Sequence, residues 1–136
     1  MDNLTREQRK LCMTKIKGKN TKPEIIVRKI LSKLGIRYRL HNSMLAGKPD
    51  IVIAKTKKII FINGCFWHQH KNCRKRTMPK ANKKYWEPKL QRNIKKQEWD
   101  IKILKKQGWK VYKIWECQTK DENKLTQKIL KYYEAR

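Results

Sequence analysis

Residues 47–65 read GKPDIVIAKTKKIIFINGC. Two short runs rich in Ile, Val and Phe, Ile51–Ile53 and Lys58–Ile62, flank a polar segment, which predicts two strands joined by a tight turn. Neither run alternates apolar with polar residues. Continuous apolar runs of this length fit strands covered on both faces. Upstream, "IRYRL" (36–40) can add a strand, and downstream "WKVYKIW" (109–115) adds another. Between the pair and the last strand lies a helical stretch, roughly Lys83 to Gln107, with Leu90, Ile94, Gln97, Ile101 and Leu104 at helical spacing and Gly108 to end it. A strand–helix–strand step implies a parallel pair in a mixed sheet. Capping-box spacings at Thr5–Gln8 and Thr21–Glu24 start two helices. The first spans about 5–17; the second carries Val27, Ile30, Leu31 and Leu34 and stops at Gly35. A terminal helix from Asp121 to Tyr133 turns Leu125, Ile129 and Leu130 inward. The order α-α-β-β-β-loop-α-β-α, with no repeat or Gly/Ser linker, reads as one α/β domain over residues 1–136.

Lys and Arg number 37 against 11 acids, a formal charge of +26. The cations run from Lys10 to Lys131 and not in a tail, so the folded body itself is basic. Such a chain repels itself unless a polyanion is near, and nucleic acid is the first candidate, an anionic membrane surface the second. Lys (28) outnumbers Arg (9), which suits point-charge phosphate contacts more than bidentate base reading. No run approaches the roughly 18 apolar residues of a membrane span. The opening "MDNLTREQRKLC" has no apolar secretory core, so a cytoplasmic or nucleoid setting is expected.

Residues 63–73, NGCFWHQHKNC, place two Cys and two His in eleven positions. Cys65, His70 and Cys73 offer S and N ligands suited to tetrahedral zinc. Cys117 follows the last strand as Cys65 follows the third. If those strands are parallel neighbours, both thiols meet at one sheet edge and close a Cys3His site. The local alternative takes His68 as fourth ligand and leaves Cys117 a buried thiol; a third reading has no metal.

Asp50 stands where an apolar strand begins, a place for a Mg²⁺-binding carboxylate or for a plain turn residue after Pro49. Asn63 and a free carbonyl at the end of "IIFIN" come near the same edge, in an arrangement like PD-(D/E)xK nucleases without their second acid and lysine. Glu24 fits a helix-cap position and can also orient a metal-bound water. Phe66 and Trp67, with Trp86 further on, are flanked by charged and metal-binding residues, so stacking on DNA bases competes with core burial.

Together, "MTKIKGKNTKPE" (13–24), "GKPDIVI" (47–53), "FINGCFWHQH" (61–70), "YWEPKLQRN" (85–93) and "WKVYKIWEC" (109–117) resemble the very-short-patch repair (Vsr) DNA mismatch endonucleases over nearly the whole chain. The resemblance implies a restriction-endonuclease-like fold with a structural zinc. It implies Mg²⁺-dependent nicking of one strand at a T:G mismatch left by deaminated 5-methylcytosine. The implied partner is double-stranded DNA, bound by a monomer with no membrane contact. A cytosine-5 DNA methyltransferase and excision-repair proteins are its implied functional neighbours. By the same resemblance Asp50 and the Ile62 carbonyl hold Mg²⁺, His68 is the general base, and Glu24 lies near metal-bound waters. Cys65, His70, Cys73 and Cys117 become the zinc ligands, which frees His68. Phe66, Trp67 and Trp86 wedge beside the mismatch from the major groove, Met13 enters from the minor groove, and Lys89 and Asn93 lie near the mismatched bases.

Three departures stand out. Ile62 replaces the threonine of the best-known member, where a backbone carbonyl is the ligand. Asn63 stands where histidine or aspartate is common; it can bind a phosphate but carries protons poorly. One extra residue separates His70 from Cys73. Two rival functions stay open: a zinc-stabilised DNA binder without catalysis, and a nuclease of the same fold acting on unmismatched DNA.

Overall fold

The computed structural model describes residues 21–71, 73 and 83–135, so the helix expected at 5–17 and Met13 lie outside the described residues. Thr21 caps the first described helix, α1 (Lys22–Lys33), by accepting the Glu24 N–H on its hydroxyl at 3.5 Å. Pro23 adds a pre-set φ to the first turn, where no intrahelical donor is missed. The helix stops through paired bonds, Ile36 N–H to Leu31 C=O and Gly35 N–H to Ser32 C=O. Gly35 takes the left-handed φ of +72° that this ending requires.

Strand β1 is short, Arg39–Leu40, and not the five residues expected. The Ile36 amide is spent on the helix end, and its side chain packs into the core instead. β2 (Ile51–Ile53) and β3 (Lys58–Asn63) are joined by one 3-10 turn, Ala54–Thr56. α2 (Lys83–Lys106) leads back to β4 (Lys110–Trp115), and α3 (Glu122–Glu134), capped by Asp121, follows. The sheet order is β1-β2-β3-β4. β1/β2 and β2/β3 are antiparallel, and β3/β4 are parallel from Lys58↔Lys110 to Asn63↔Trp115.

Both faces of the sheet are covered, as the apolar runs require. Ile51, Ile53, Ile60 and Ile114 pack against Val27 and Leu31 of α1 and Leu125 and Ile129 of α3. Val52, Ile59 and Phe61 pack against Leu104 of α2 on the other side. Burying each such side chain stabilises the fold by roughly 1.5–3 kcal/mol. Leu130, expected inward, is only half-buried. On α2 a charged residue, Asp100, is buried at 8% exposure.

This α/β architecture, a mixed four-stranded sheet between helices, fixes where the chemistry sits. The parallel β3/β4 register ends on Asn63↔Trp115, so the loops carrying Cys65 and Cys117 leave the sheet at one edge.

Candidate active site and metal centre

Cys65 lies two residues past the end of β3 and is fully buried. Its backbone N–H donates to the Glu116 carboxylate at 3.2 Å, which ties the loop to the end of β4. Cys65, His70, Cys73 and Cys117 offer ligand atoms that all lie within 4.8 Å of one another. His70 Nδ1 is 3.7 Å from Cys65 Sγ and 3.4 Å from Cys117 Sγ. Zn–S bonds of about 2.3 Å and Zn–N bonds of about 2.0 Å set tetrahedral edges of roughly 3.5–3.8 Å, so the donor set fits a four-coordinate zinc. Burial pushes the Cys65 thiol up to about 12 and lowers the His70 imidazole. A metal cation would reverse the first effect by favouring thiolate. The cluster can therefore hold a metal ion, and His68 is outside it.

A second cluster borders a pocket of about 1010 Å³ beside the same sheet edge, with Asp50 and His41 in the pocket lining and Glu24 buried behind them. Asp50, at the start of β2, accepts the Ile62 N–H on Oδ2 at 2.7 Å. Glu24 and His41 complete the cluster, their ligand atoms and that of Asp50 lying within 4.8 Å of one another. The His41 ring contacts the Glu24 carboxylate, and its backbone N–H donates to the Asp50 carbonyl at 3.1 Å. His41 holds φ at +48°, uncommon for a residue with a side chain. Burial raises the Asp50 carboxyl from 3.8 to about 6; the Ile62 hydrogen bond opposes this and Glu24 adds to it. Two acids this close in a partly buried site favour a divalent cation, so the residues fit one.

His68 lines the same pocket. Burial, aided by the Lys113 charge, lowers its imidazole from 6.5 to about 4, so it is neutral at pH 7. Its Nδ1 is buried without a hydrogen-bond partner among the described residues. Asn63, 2% exposed, spends its amide on Gln97 of α2 through two reciprocal bonds of 2.8 Å. This buried pair pins α2 to the end of β3 and fixes the Asn63 amide at the wall of the pocket.

Phe66, Trp67 and Trp86 meet edge-on as a triangle, with centroids 5.4, 5.5 and 5.7 Å apart. All three are half-buried, between core and surface. Gly64 makes room for the cluster: a Cβ there would stand 3.2 Å from the Trp67 ring. Lys89 Nζ lies 5.7 Å over Trp67 and 5.6 Å over Trp86, and both Lys89 and Asn93 line the pocket. The structure thus gathers Asp50, His68, Phe66, Trp67, Lys89 and Asn93 around one cavity.

The model of the family "DNA mismatch endonuclease Vsr" matches residues 1–75, more than half of the chain. The type II nicking enzyme V.XorIIP of Xanthomonas oryzae pv. oryzae is 38% identical, over 94% of this chain and 93% of its own. The chain belongs to the Vsr family of DNA mismatch endonucleases. V.NmeAIP of Neisseria meningitidis serogroup A, another type II nicking enzyme, is 42% identical over 89% of this chain and 86% of its own. The DNA mismatch endonuclease Vsr of Escherichia coli K12 is 32% identical over 87% of this chain and 75% of its own. Among solved structures, the catalytic domain of the homing endonuclease I-Bth0305I superposes with a TM-score of 0.58 at 23% identity, covering 84% of this chain and 95% of that domain. That likeness shows the nuclease fold. This Vsr chain is accordingly a DNA endonuclease. No helix among the described residues is long and apolar enough to cross a membrane.

Four residues that line the pocket were not singled out as site candidates by the sequence. His41 sits in a segment with no motif around it. Glu116 is a lone acid beside Cys117, with no spacing of its own to mark it. Asp100 and Gln97 lie three residues apart on the inward face of α2, and only their helical phase hinted at burial. Asp100 also accepts from Lys96 at 2.9 Å and stands 3.0 Å from where a Gly47 Cβ would be.

Proposed function

We propose that this endonuclease nicks one strand of duplex DNA at a T:G mismatch, the lesion left when 5-methylcytosine deaminates. Excision repair then restores C:G, in cells that carry a cytosine-5 methyltransferase. The observation that carries the reading is the sharing of one pocket by Asp50, His41, His68 and the Phe66–Trp67 aromatics. A pure binder has no use for acids facing a phosphate. Several relatives bear the name nicking enzyme, which supports cleavage of a single strand. The protein acts as a monomer, with zinc at the Cys65, His70, Cys73 and Cys117 cluster as a structural metal.

Asp50 and the Ile62 carbonyl would hold Mg²⁺, with Glu24 placed to orient its bound water; the ion would polarise the scissile phosphate and stabilise the charge that develops on its oxygens. His68 enters neutral and accepts a proton from the attacking water. An anionic phosphate beside it favours the imidazolium and so strengthens it as a base. The water oxygen bonds to phosphorus while a sugar oxygen departs. The aromatic triangle leaves its self-packed state to wedge at the mismatch. Unstacking a step costs a few kcal/mol, less at a mismatched base than at a proper pair. That difference selects T:G.

The test is a strand-labelled T:G duplex incubated with and without Mg²⁺. Only one strand should be cut, and only with Mg²⁺; His68→Ala should bind the duplex and cut it far more slowly. Cutting of both strands, or equal cutting without divalent metal, refutes the reading.

A further inference from the structure

The pocket around Asp50 does not account for the charge of the chain. Lys22, Lys48, Lys89 and Lys96 line it against Asp50, Asp100 and Glu116, while the whole chain carries +26. A second cleft lies at the edge of the sheet. β4 ends the strand order, so one side of its backbone has no strand partner among the described residues. α2 and α3 wall that edge into an open cleft of about 610 Å³. Lys102 and Lys105 reach it from α2, Lys113 from β4 and Lys128 from α3, with Glu98 as the acid in its lining.

The rings of the cleft are already engaged. Tyr112 stacks on Tyr132 at 4.3 Å, and Trp115 on His70 at 4.1 Å. Lys128 Nζ lies 5.7 Å over the Tyr132 ring. These aromatics are walls and not free platforms for bases, so the cleft selects its occupant by charge. Four ammonium groups on three elements suit the spaced charges of a phosphate backbone. Lysines on an edge strand also discourage pairing with another chain. That explains Lys113, but not Lys102, Lys105 and Lys128, which stand on helices.

We propose that this cleft is a second DNA-backbone site, holding phosphates of the duplex outside the pocket where cutting occurs. The proposal rests on the endonuclease reading. It adds a sequence-independent grip that keeps the enzyme on long DNA while the aromatic cluster samples base pairs.

The test uses the full-length, metal-loaded protein and a variant carrying Lys102→Gln, Lys105→Gln and Lys128→Gln. Binding to a long matched duplex is measured across a salt series, and nicking of a short T:G duplex at saturating enzyme is measured beside it. Each phosphate deprived of its ammonium partner should lower the slope of log K against log salt by about 0.9, so the variant's slope should be shallower by roughly 2–3. Nicking of the short duplex should keep its wild-type rate. Because Lys102 and Lys105 are exposed on α2, the single variants fold even if the triple does not, and each should flatten the slope by about 0.9. An unchanged slope overturns the proposal. If it comes with new self-association, the lysines guard the strand edge; if it comes alone, the cleft serves an acidic protein segment or nothing. A reduced slope in a protein that never nicks T:G DNA would instead keep the cleft and discard the proposed function.

Discussion

Asp50→Asn should make the metal-free site more stable at neutral pH and abolish the response to Mg²⁺. Burial and the neighbouring Glu24 raise the Asp50 carboxyl from 3.8 to about 6 in the folded chain. A carboxyl raised by folding stabilises the fold while protonated. That contribution is full below about pH 4 and is lost as pH rises through 6. The shift corresponds to at most about 3 kcal/mol, at 1.36 kcal/mol per tenfold change. Asn keeps the shape, carries no charge and still accepts the Ile62 N–H. In Mg²⁺-free buffer at pH 7.5, with the cysteine-bound metal kept in place, the variant should melt higher by about 10 °C, taking roughly 3–5 °C per kcal/mol at this size. At pH 4 the gap should close. Adding Mg²⁺ should raise the melting temperature of the wild type and not of the variant. Thermal melting over a pH series reads all three effects. An Asn variant no more stable than wild type at pH 7.5, or an advantage that ignores pH, would refute the reasoning that Asp50 is strained by burial and awaits a cation.

Cys117→Ser should purify with little or no zinc and a lowered melting temperature, while His68→Ala keeps its zinc; metal analysis reads both. The reverse pattern would move the fourth ligand to His68. Trp67→Ala should weaken binding to a T:G duplex by about tenfold to a hundredfold, from roughly 1–3 kcal/mol of forfeited stacking. Its binding to matched duplex should hardly change, and an equal loss on both would make Trp67 a packing residue. Gln97→Ala should cost about 1–3 kcal/mol of stability by orphaning the buried Asn63 amide. Removing both amides should cost less than the two single losses added, and a strictly additive result in chemical denaturation would deny the coupling.

Much of the fold was legible because apolar periodicity is a direct record of burial. The runs at Ile51–Ile53 and Lys58–Ile62 had no polar alternation, and both faces of those strands are covered. The strand–helix–strand order foretold the parallel β3/β4 pair, which brings Cys65 beside Cys117. The length of β1 was not legible, because a helix-ending hydrogen bond takes the Ile36 amide and leaves no trace in composition. Within the site, residues with soft ligand chemistry at short spacing announced themselves. His41, Gln97 and Asp100 did not, since each reaches the pocket from a distant segment through tertiary packing. The low pKa of His68 was also hidden: a histidine between zinc ligands suggests a near-neutral base, but burial decides the value.

A single-turnover nicking measurement on two duplexes that differ only in one base, T:G against C:G, separates a mismatch endonuclease from its rivals. With Mg²⁺ present and enzyme in excess, the T:G duplex should be nicked in one strand, and the C:G duplex left intact over the same time. Equal nicking of both duplexes would make this a nuclease indifferent to mismatches, and nicking of neither would leave a DNA-binding protein without the chemistry proposed for Asp50 and His68.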